Sequence, residues 1–217
     1  IATSLPTLTG TAIMLDVGAN VDCSAQHLAQ FAIMGNEYGK HLFGKPNPRI
    51  GLLSIGEEDG KGNEVTKEAF KLLKASQLNF IGNVEGRDVY SGSADVVVCD
   101  GFIGNVALKI SEGVADTIKK LLVKEISGSF LGRLAYPFIA GPLQNLKKKI
   151  DYAEFGGAPL LGVNGITMIC HGRSSPKAIK NAIRRAKGLA ESRVDELIQR
   201  DIEESFSQAK STEDKPA

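Results

Sequence analysis

Residues 50–63 read IGLLSIGEEDGKGN, an apolar run that passes directly into a loop of glycines and carboxylates. The run at residues 50–55 is typical of a strand that is buried on both faces of a parallel sheet. Asn63, at the end of the loop, is a good helix cap, and an apolar stripe of helical spacing follows it at residues 65–73. A strand, a glycine-rich loop and a helix form the repeating unit of an α/β fold.

The same unit recurs along the rest of the chain. Further strands are predicted from apolar runs at residues 12–15, 80–81, 96–99 and 166–170. Helices are predicted after a cap at Asp22 or Ser24, from about Ser111, and, as one long helix, after Ser174-Ser175-Pro176. This alternation predicts an α/β fold with a largely parallel sheet and flanking helices.

The chain is expected to consist of four segments. They are an α/β core with glycine-rich cleft loops (residues 1–110), a protruding helical hairpin (residues 111–150), a return strand and long carboxy-terminal helix that complete the core (residues 151–207), and a polar tail (residues 208–217). The hairpin and the long helix carry more apolar surface than one small sheet can cover. We therefore expect a homodimer.

Composition excludes several classes of protein. Of 217 residues, 42% are hydrophobic and 24% are charged, which excludes a disordered or disulfide-stapled chain. The net charge of +1 provides no overall field that would attract nucleic acid. Cys23, Cys99 and Cys170 are widely spaced in apolar sequence and are predicted to be reduced, as in a cytoplasmic protein. No signal peptide is visible, and no apolar run reaches the length of about 18 residues that spans a bilayer.

Polar clusters follow four of the predicted strands. At the carboxyl ends of parallel strands, glycines let backbone N–H groups approach an anion, and a following helix adds its positive end. Four clusters predict one shared anion-binding cleft, although turns and helix caps would explain any single one. The candidate residues are Asp16, Gly18 and Asn20; Gly60, Lys61, Gly62 and Asn63; Asn83, Glu85, Gly86, Arg87 and Asp88; and Asp100, Gly101, Gly104 and Asn105.

Motifs of other enzyme classes are missing or incomplete. The loop at residues 56–62 lacks the spacing of a Walker phosphate loop, and its carboxylates would repel a triphosphate. No glycine-rich dinucleotide fingerprint follows a strand, and no nucleophile elbow surrounds a serine. Cys23 and His27 could share a helix face, but such a pair is more often structural than metal-binding. His171 follows a predicted strand and is either catalytic or simply close to a helix cap.

The predicted hairpin combines an apolar tip with basic flanks. This pattern fits an anchor on an anionic membrane or a dock for an acidic partner, and the alternative is a dimer-forming hairpin with solvated lysines. The tip is too short to cross a bilayer and is interrupted by Pro137 and Gly141. The residues assigned to this surface are Lys119, Lys120, Lys124, Phe130, Leu131, Arg133, Leu134, Phe138, Lys147, Lys148 and Lys149.

Five strings of sequence resemble PlsX-type phosphate acyltransferases. They occur in the family's order between about Ile13 and Ala186, which is nearly the whole chain. The strings are LDVGAN at residues 15–20, GKGNE at 60–64, FIGNVEGRD at 80–88, VVCDGF at 97–102 and GGAPLLGVNG at 156–165. The resemblance implies a fold similar to that of phosphotransacetylases and isocitrate-type dehydrogenases, with the active site in a cleft between lobes.

The resemblance also implies a reaction. Enzymes of this family move the fatty acyl group of acyl-[acyl carrier protein] to inorganic phosphate, and the acyl phosphate enters phospholipid synthesis. Because phosphate is itself the nucleophile, no protein nucleophile is required, and we expect neither a cofactor nor a metal. The expected partners are phosphate, an anionic membrane surface and the acyl carrier protein, which is strongly acidic and would be attracted by the basic arm. The protein is expected to be cytoplasmic and peripherally membrane-associated.

The resemblance suggests roles for the candidate residues. Those expected to be catalytic are Lys61, Asn83, Arg87 and His171. Lys61 and Arg87 would attract phosphate, Arg87 with two parallel hydrogen bonds, and His171 would protonate the leaving thiolate. Neutral donors would be Asn20, Asn63, Asn83 and Asn105, and the carboxylates expected to orient the cations are Asp16, Glu85, Asp88 and Asp100.

The family's amino-terminal part is absent from this sequence. Its Asp-Ala-Met-Gly-Gly-Asp motif and early Gly-Asn-Thr-Gly segment, which contribute to the same cleft, have no counterpart here. We therefore expect a piece of a longer protein. Two alternatives for the function stay open, a phosphotransacetylase-like enzyme that uses acyl-CoA and a non-catalytic, membrane-associated fragment.

Overall fold

A five-stranded sheet lies at the centre of the structure, a computed structural model that describes residues 1–150 and 156–213, with side chains at residues 1–146 and 156–205. Its strands are β1 (Ala2–Thr7), β2 (Gly10–Leu15), β3 (Ile50–Leu53), β4 (Phe80–Val84) and β5 (Val96–Val98). They lie in the order β1-β2-β5-β3-β4. From β2 to β4 all neighbours are parallel, and β1 runs antiparallel to β2 at one edge. The predicted α/β fold with a largely parallel sheet is confirmed.

Helices and a small second sheet complete the described part of the chain. The helices are α1 (Ala25–Phe43), α2 (Glu64–Ala75), α3 (Gly101–Gly128), α4 (Phe130–Ile150), α5 (Pro176–Ser192) and α6 (Val194–Glu213). The small sheet pairs β6 (Ala158–Leu160) antiparallel with β7 (Thr167–Ile169). The predicted caps Ser24, Asn63 and Ser175 are confirmed, since each side chain accepts a hydrogen bond from the first turn of its helix.

Side chains of the central strands alternate between two apolar layers. Val96 and Val98 of β5 pack in the layer that contains buried residues of α1, α2 and α6. Val97 packs in the opposite layer, with Met14 of β2 and with Leu108 of α3. Burial on both faces is what a parallel sheet requires. The central strands therefore hold the loops at their carboxyl ends in fixed positions.

Two strands are not predicted by the sequence pattern. β1 contains Pro6, which cannot donate to a sheet ladder and is tolerated in an edge strand. β6 is short and lies inside the glycine-rich string at residues 156–165. Tertiary contacts position both, because β6 contacts β1 and Arg185 of α5 donates to Ser4 Oγ at 3.0 Å.

Two predicted helix bounds are wrong. The helix expected from about Ser111 begins at Gly101, because Asp100 caps it by accepting a hydrogen bond from the Phe102 N–H at 2.8 Å. α3 thus runs across residues 110 and 111, where two segments were expected to meet, and the division into four segments stays a prediction. The single long helix expected after Pro176 is two helices, since Arg193 ends α5 with a left-handed backbone (φ 53°).

The predicted hairpin is formed by the second part of α3 and by α4, which contact each other; we call residues 111–150 the arm. α4 continues through Pro137 and Gly141, so the expected interruption of the tip is wrong. Proline removes one hydrogen bond from a helix and often bends it, but here the helix continues beyond it. The backbone of α6 is helical as far as Glu213, within the segment expected to be a polar tail.

At the sheet edge opposite to the polar clusters, Asp95 holds the start of β5 against the start of β3. Its carboxylate accepts hydrogen bonds from the Arg49 N–H at 2.9 Å, from Arg49 Nε at 3.0 Å and from Lys45 Nζ at 3.0 Å. Burial alone would raise the pKa of Asp95, but these donors lower it from 3.8 to about 2. The ionised carboxylate therefore stabilises the fold.

We expect Asp95→Asn to lower the free energy of unfolding by about 2 kcal/mol near neutral pH, measured by urea unfolding. Because the pKa is lowered in the folded state, the stabilisation is present above about pH 4 and is lost as the pH falls through about 2. The matched control is Asp59→Asn, which removes an exposed pair with Lys74 and should cost less than about 1 kcal/mol. Equal losses in the two variants at neutral pH would contradict this role of Asp95.

Candidate active site

The four polar clusters lie at one edge of the five-stranded sheet. Strands β2, β5, β3 and β4 are parallel, so the loops that follow them leave the sheet at the same edge. Ligands of open α/β sheets bind at this edge. The loops form two groups, one after β2 and β5 and one after β3 and β4. The two groups lie side by side, because β5 pairs with β3.

In the first group, the loop after β2 packs on the first turn of α3. Asp16 is fully buried, and its carboxylate accepts hydrogen bonds from the Asn20 backbone at 2.7 Å, the Asn20 side chain at 3.0 Å and the Ala19 N–H at 3.2 Å. A Cβ atom on Gly104 would overlap the Asp16 carbonyl oxygen, and one on Gly101 would overlap the Asn20 carbonyl oxygen. These two glycines therefore allow the close approach of loop and helix.

Gly18 and Asn105 meet at the surface of the first group. The backbone of Gly18 has a φ of 122°, which favours glycine, and a Cβ atom there would lie 3.4 Å from Asn105 Cγ. The side-chain amide of Asn20 already donates to Asp16, whereas Asn105 is exposed. Of these two expected donors, Asn105 is therefore the better placed to meet a ligand.

Two thiols, Cys23 and Cys99, are buried beside this loop. The Cys23 N–H donates to Asp100 Oδ2 at 2.8 Å, and Cys99 Sγ lies 3.3 Å from the Asp16 carbonyl oxygen. Burial, reinforced by Asp100, raises the pKa of Cys23 to about 11, and burial also raises the pKa of Cys99. Burial opposes ionisation of Asp100 too, but hydrogen bonds from Cys23 and Phe102 hold its pKa below the usual value. Neither thiol is ionised near neutral pH, as a nucleophile would have to be.

In the second group, Arg87 lies at the surface among carboxylates. Its side chain is 72% exposed, with Nη2 at 3.4 Å from Glu57 Oε1 and Nε at 3.1 Å from Glu85 Oε2. Asp88 Oδ1 lies 3.9 Å from Arg87 Nε, and Asp88 Oδ2 accepts a hydrogen bond from the Glu85 N–H. These contacts hold the guanidinium at the sheet edge, where a solvent-borne anion can reach it.

Asn83 and Lys61 connect the loop after β3 to β4. Asn83 lies within β4 rather than in the loop that follows it, and it is buried. Its side-chain amide donates to the Glu58 carbonyl oxygen at 2.8 Å, which the Lys61 N–H also contacts at 3.0 Å. The amide expected to face a ligand thus fixes a loop, and its part in catalysis stays a prediction.

The remaining residues of the second group shape the entrance to α2. Asn63 Oδ1 accepts a hydrogen bond from the Thr66 N–H at 2.9 Å. This asparagine therefore caps α2, which is the alternative explanation that the sequence offered for a single polar cluster. Gly62 has a φ of 108°. Gly60 and Gly86 are exposed, and a Cβ atom on either would meet no other atom within 4 Å. The backbone at Gly60 and Gly86 therefore has room beside it for a ligand.

His171 lies beside α3, away from the second group. Its Nε2 atom is 3.5 Å from Nζ of Lys109, which also pairs with Glu112 at 2.8 Å. Lys109 stands on the same helix as Gly104, so His171 approaches the first group from the side of α3. Lys109 is missed by sequence reasoning, because no motif connects it with His171. Within residues 1–150 and 156–213, no group of three or more His, Cys, Asp or Glu side chains could hold a metal ion.

The arm presents apolar and basic side chains to solvent. The exposed residues that the sequence assigned to this surface are Lys119, Lys120, Lys124, Phe130, Leu131, Arg133, Leu134 and Phe138. Phe138 is 85% exposed, and Lys120 pairs with Asp116 at 2.6 Å. The side chains of Lys147, Lys148 and Lys149 lie outside the described residues. Among the described helices, none combines the length and the apolar character that crossing a membrane requires.

A family model described as "Fatty acid synthesis protein" matches residues 1–197. The chain belongs to this family. Proteins of known name agree, because phosphate acyltransferases are similar to most of the chain. The resemblance to PlsX-type phosphate acyltransferases is thereby confirmed.

Three of these relatives show the extent of the similarity. The phosphate acyltransferase of Trichlorobacter lovleyi is 55% identical over 206 residues, which are 95% of this chain and 60% of that protein. Those of Thermodesulfovibrio yellowstonii and Citrifermentans bemidjiense are 57% and 53% identical, over 89% and 100% of this chain and 56% and 62% of their own length. The chain thus spans about 60% of the length of these family members.

Among solved structures, EutD phosphotransacetylase from Staphylococcus aureus is similar with a TM-score of 0.42 and 19% sequence identity. The match covers 54% of this chain and 42% of that one.

Proposed function

We propose that the whole protein moves a fatty acyl group from acyl-[acyl carrier protein] to inorganic phosphate and so supplies acyl phosphate for phospholipid synthesis. The observation that carries the proposal is the 55% identity to a phosphate acyltransferase over 95% of the chain. Membership of a fatty acid synthesis family and the polar loops at one sheet edge support it.

In the proposed reaction, an oxygen of hydrogen phosphate attacks the carbonyl carbon of the thioester. A C–O bond forms, the C–S bond breaks, and the proton of hydrogen phosphate ends on the sulfur of the carrier. The protein has to hold the anion beside the carbonyl and to stabilise the charge that develops on the carbonyl oxygen. This chemistry suits a site in which Cys23 and Cys99 are protonated, because no thiolate of the protein takes part.

Charged side chains of the second loop group, together with His171, are assigned to parts of this reaction. Arg87 and Lys61 bind phosphate, and the carboxylates of Glu57 and Glu85 keep the Arg87 guanidinium oriented before phosphate arrives. His171 protonates the leaving thiolate from the side of α3, and the proton that hydrogen phosphate loses restores the histidine. What supports these roles is the exposure of Arg87 at the edge where four loops meet.

A turnover assay tests the proposed function. Acyl-[acyl carrier protein] and acyl-CoA are supplied separately, with and without phosphate, and acyl phosphate is detected by phosphorus NMR. We expect acyl phosphate from the carrier-bound donor and only when phosphate is present. Faster turnover of acyl-CoA would favour a phosphotransacetylase-like enzyme. Thioester cleavage at the same rate without phosphate would contradict the proposal.

We further propose that the arm tip binds an anionic membrane surface reversibly and peripherally. Phe130, Leu131, Leu134 and Phe138 are exposed on α4, and exposed lysines of α3 lie on the same arm. Apolar side chains enter the headgroup region, while each nearby lysine contributes about 1 kcal/mol of attraction to an anionic leaflet. Acyl phosphate is a poorly soluble product, so delivery at a membrane suits the proposed reaction.

We expect the double variant Leu134→Asp/Phe138→Asp to lose at least about tenfold in affinity for phosphatidylglycerol vesicles, since it places charges in the apolar contact. The measurement is co-sedimentation with vesicles at low and high salt. Leu8→Asp, at an even more exposed leucine of the β1–β2 turn, is the control and should bind like the unmodified protein. Unchanged vesicle binding by the double variant would show that the tip is not the anchor.

We also infer a homodimer through the shaft of the arm. Val114, Ile118 and Leu121 of α3 are each more than half exposed, and they recur at helical spacing. A second copy would bury this stripe in an isologous interface. Sedimentation at micromolar concentration should give a dimer, and Ile118→Glu/Leu121→Glu should give a folded monomer. A monomer in both cases would contradict the inference.

A further inference from the structure

The exposed face of α5 is strongly cationic. The helix carries five cations and one carboxylate, Glu191. One cation, Arg185, is turned inward, where it donates to Ser4 Oγ at 3.0 Å and lies over the ring of Tyr38. The other four are exposed: Lys177, Lys180, Arg184 and Lys187. Of these, Lys187 lies 3.6 Å from Glu191.

An apolar groove runs beside these cations. It is an open groove of about 510 Å³, lined by Ser174, Pro176, Ile179, Lys180 and Ile183. The opposite face of α5 is buried through Ala178, Ala182 and Leu189, so the helix is anchored and its outer face is fixed in place. Ile183 is 66% exposed. Ile179 and Ile183 are thus bordered by the ammonium and guanidinium groups of α5. Such a surface suits a partner that presents an apolar side chain between carboxylates.

We infer that this face of α5 docks an acidic protein. The inference rests on the function proposed above, which makes that protein the acyl carrier protein. Charge complementarity carries the choice of occupant. A second copy is a poor occupant, because an isologous contact would set one cationic face against another. A membrane is a poor occupant as well, because the apolar surface offered here is small compared with that of the arm tip.

The position of α5 suits a carrier that delivers a thioester. The helix begins directly after the loop of residues 171–174, which contains His171. A carrier on α5 therefore sits beside the residue assigned to protonate its thiolate. On the α3 part of the arm, in contrast, the three lysines lie among an equal number of carboxylates, Glu112, Asp116 and Glu125, and Lys120 is already paired with Asp116. The carrier dock thus lies on α5 and the membrane contact on the arm.

The test compares a protein donor with a small donor. Lys180→Glu/Arg184→Glu is assayed with acyl-[acyl carrier protein] and with acyl-pantetheine, which carries the same thioester but no protein. We expect the KM for the carrier-bound donor to rise at least about tenfold and the KM for acyl-pantetheine to change less than about twofold. Lys67→Glu/Lys71→Glu, the same charge change on α2, should alter neither value. Equal effects on the two donors would overturn the inference.

Direct binding separates this inference from the proposed function. Binding of acyl carrier protein is measured by calorimetry at low and high salt, without turnover. We expect the α5 variant to bind at least about tenfold more weakly at low salt and to lose the salt dependence. If the unmodified protein forms no acyl phosphate but binds the carrier through α5, the proposed function fails and the docking surface stands. If the variant binds the carrier as tightly as before, or changes only self-association in sedimentation, the docking surface is wrong. Should the charge reversal prevent folding, Lys180→Gln/Arg184→Gln gives the same comparison with a smaller effect.

Discussion

Gly104→Ala is expected to lower the free energy of unfolding by about 3 kcal/mol and to abolish acyl transfer. The added Cβ atom would overlap the carbonyl oxygen of Asp16 and lie 2.8 Å from Cys99 Sγ. A backbone oxygen cannot move aside alone, so either α3 or the loop after β2 has to shift. The shift separates Asp16 from the helix that its loop packs on, and it displaces Gly18 and Asn105. Urea unfolding and the turnover assay measure the two effects.

Gly113→Ala is the matched control on the same helix. A Cβ atom at Gly113 meets no other atom within 4 Å, and alanine favours helix by up to about 1 kcal/mol over glycine. This variant should be as stable as the unmodified protein or slightly more stable. If both alanine variants unfold alike, close packing between loop and helix does not organise the site.

Arg87→Ala should raise the KM for phosphate about 100-fold and change the KM for the acyl donor less than about threefold. A hydrogen bond between a charged group and phosphate contributes about 1.5–3 kcal/mol to binding, whereas the guanidinium contributes nothing to binding of the acyl donor. The guanidinium is exposed and pairs with the carboxylates of Glu57, Glu85 and Asp88. Steady-state kinetics with each substrate varied in turn gives both values.

Arg87→Lys keeps the charge but lacks the planar fork, so it should give an intermediate KM for phosphate. The conservative variant separates phosphate binding from a purely structural role of the arginine. Equal increases in both KM values for Arg87→Ala, or no increase in either, would rule out a phosphate-binding role.

Local signals in the sequence predict much of the fold. The apolar runs at residues 50–55 and 96–99 and the caps Ser24 and Asn63 depend on neighbouring residues only, and the structure confirms them. The alternation of strands and helices predicts that the strands run parallel, because two parallel strands need a crossover connection between them. The placement of four polar loops at one edge is a consequence of that order.

Features that depend on distant residues are not predictable from local pattern. β1 is a strand because it pairs with β2, although its polar residues and proline give no strand signal. α3 begins at Gly101 because Gly101 and Gly104 fit against the loop after β2, whereas glycines in a sequence usually indicate a turn. The sequence spacing between Lys109 and His171 likewise gives no sign of their contact.

The individual side-chain roles in the site are also partly hidden from the sequence. Asparagine can cap a helix, fix a loop or bind a ligand, and the sequence does not distinguish these uses. The structure shows Asn63 as a cap and Asn83 as a link to the Glu58 carbonyl oxygen. The interpretation of Arg87, in contrast, is the same from sequence and structure. In both, it is an exposed cation that follows the end of a strand, where a ligand can reach it.

A single turnover with phosphate labelled by heavy oxygen tests most directly whether phosphate, and no group of the protein, attacks the thioester. We expect acyl phosphate in which all phosphate oxygens, including the one bonded to the acyl carbon, carry the label. Free thiol should appear only when phosphate is added. Thiol released before phosphate is added, with the acyl group found on the protein by intact mass, would contradict it.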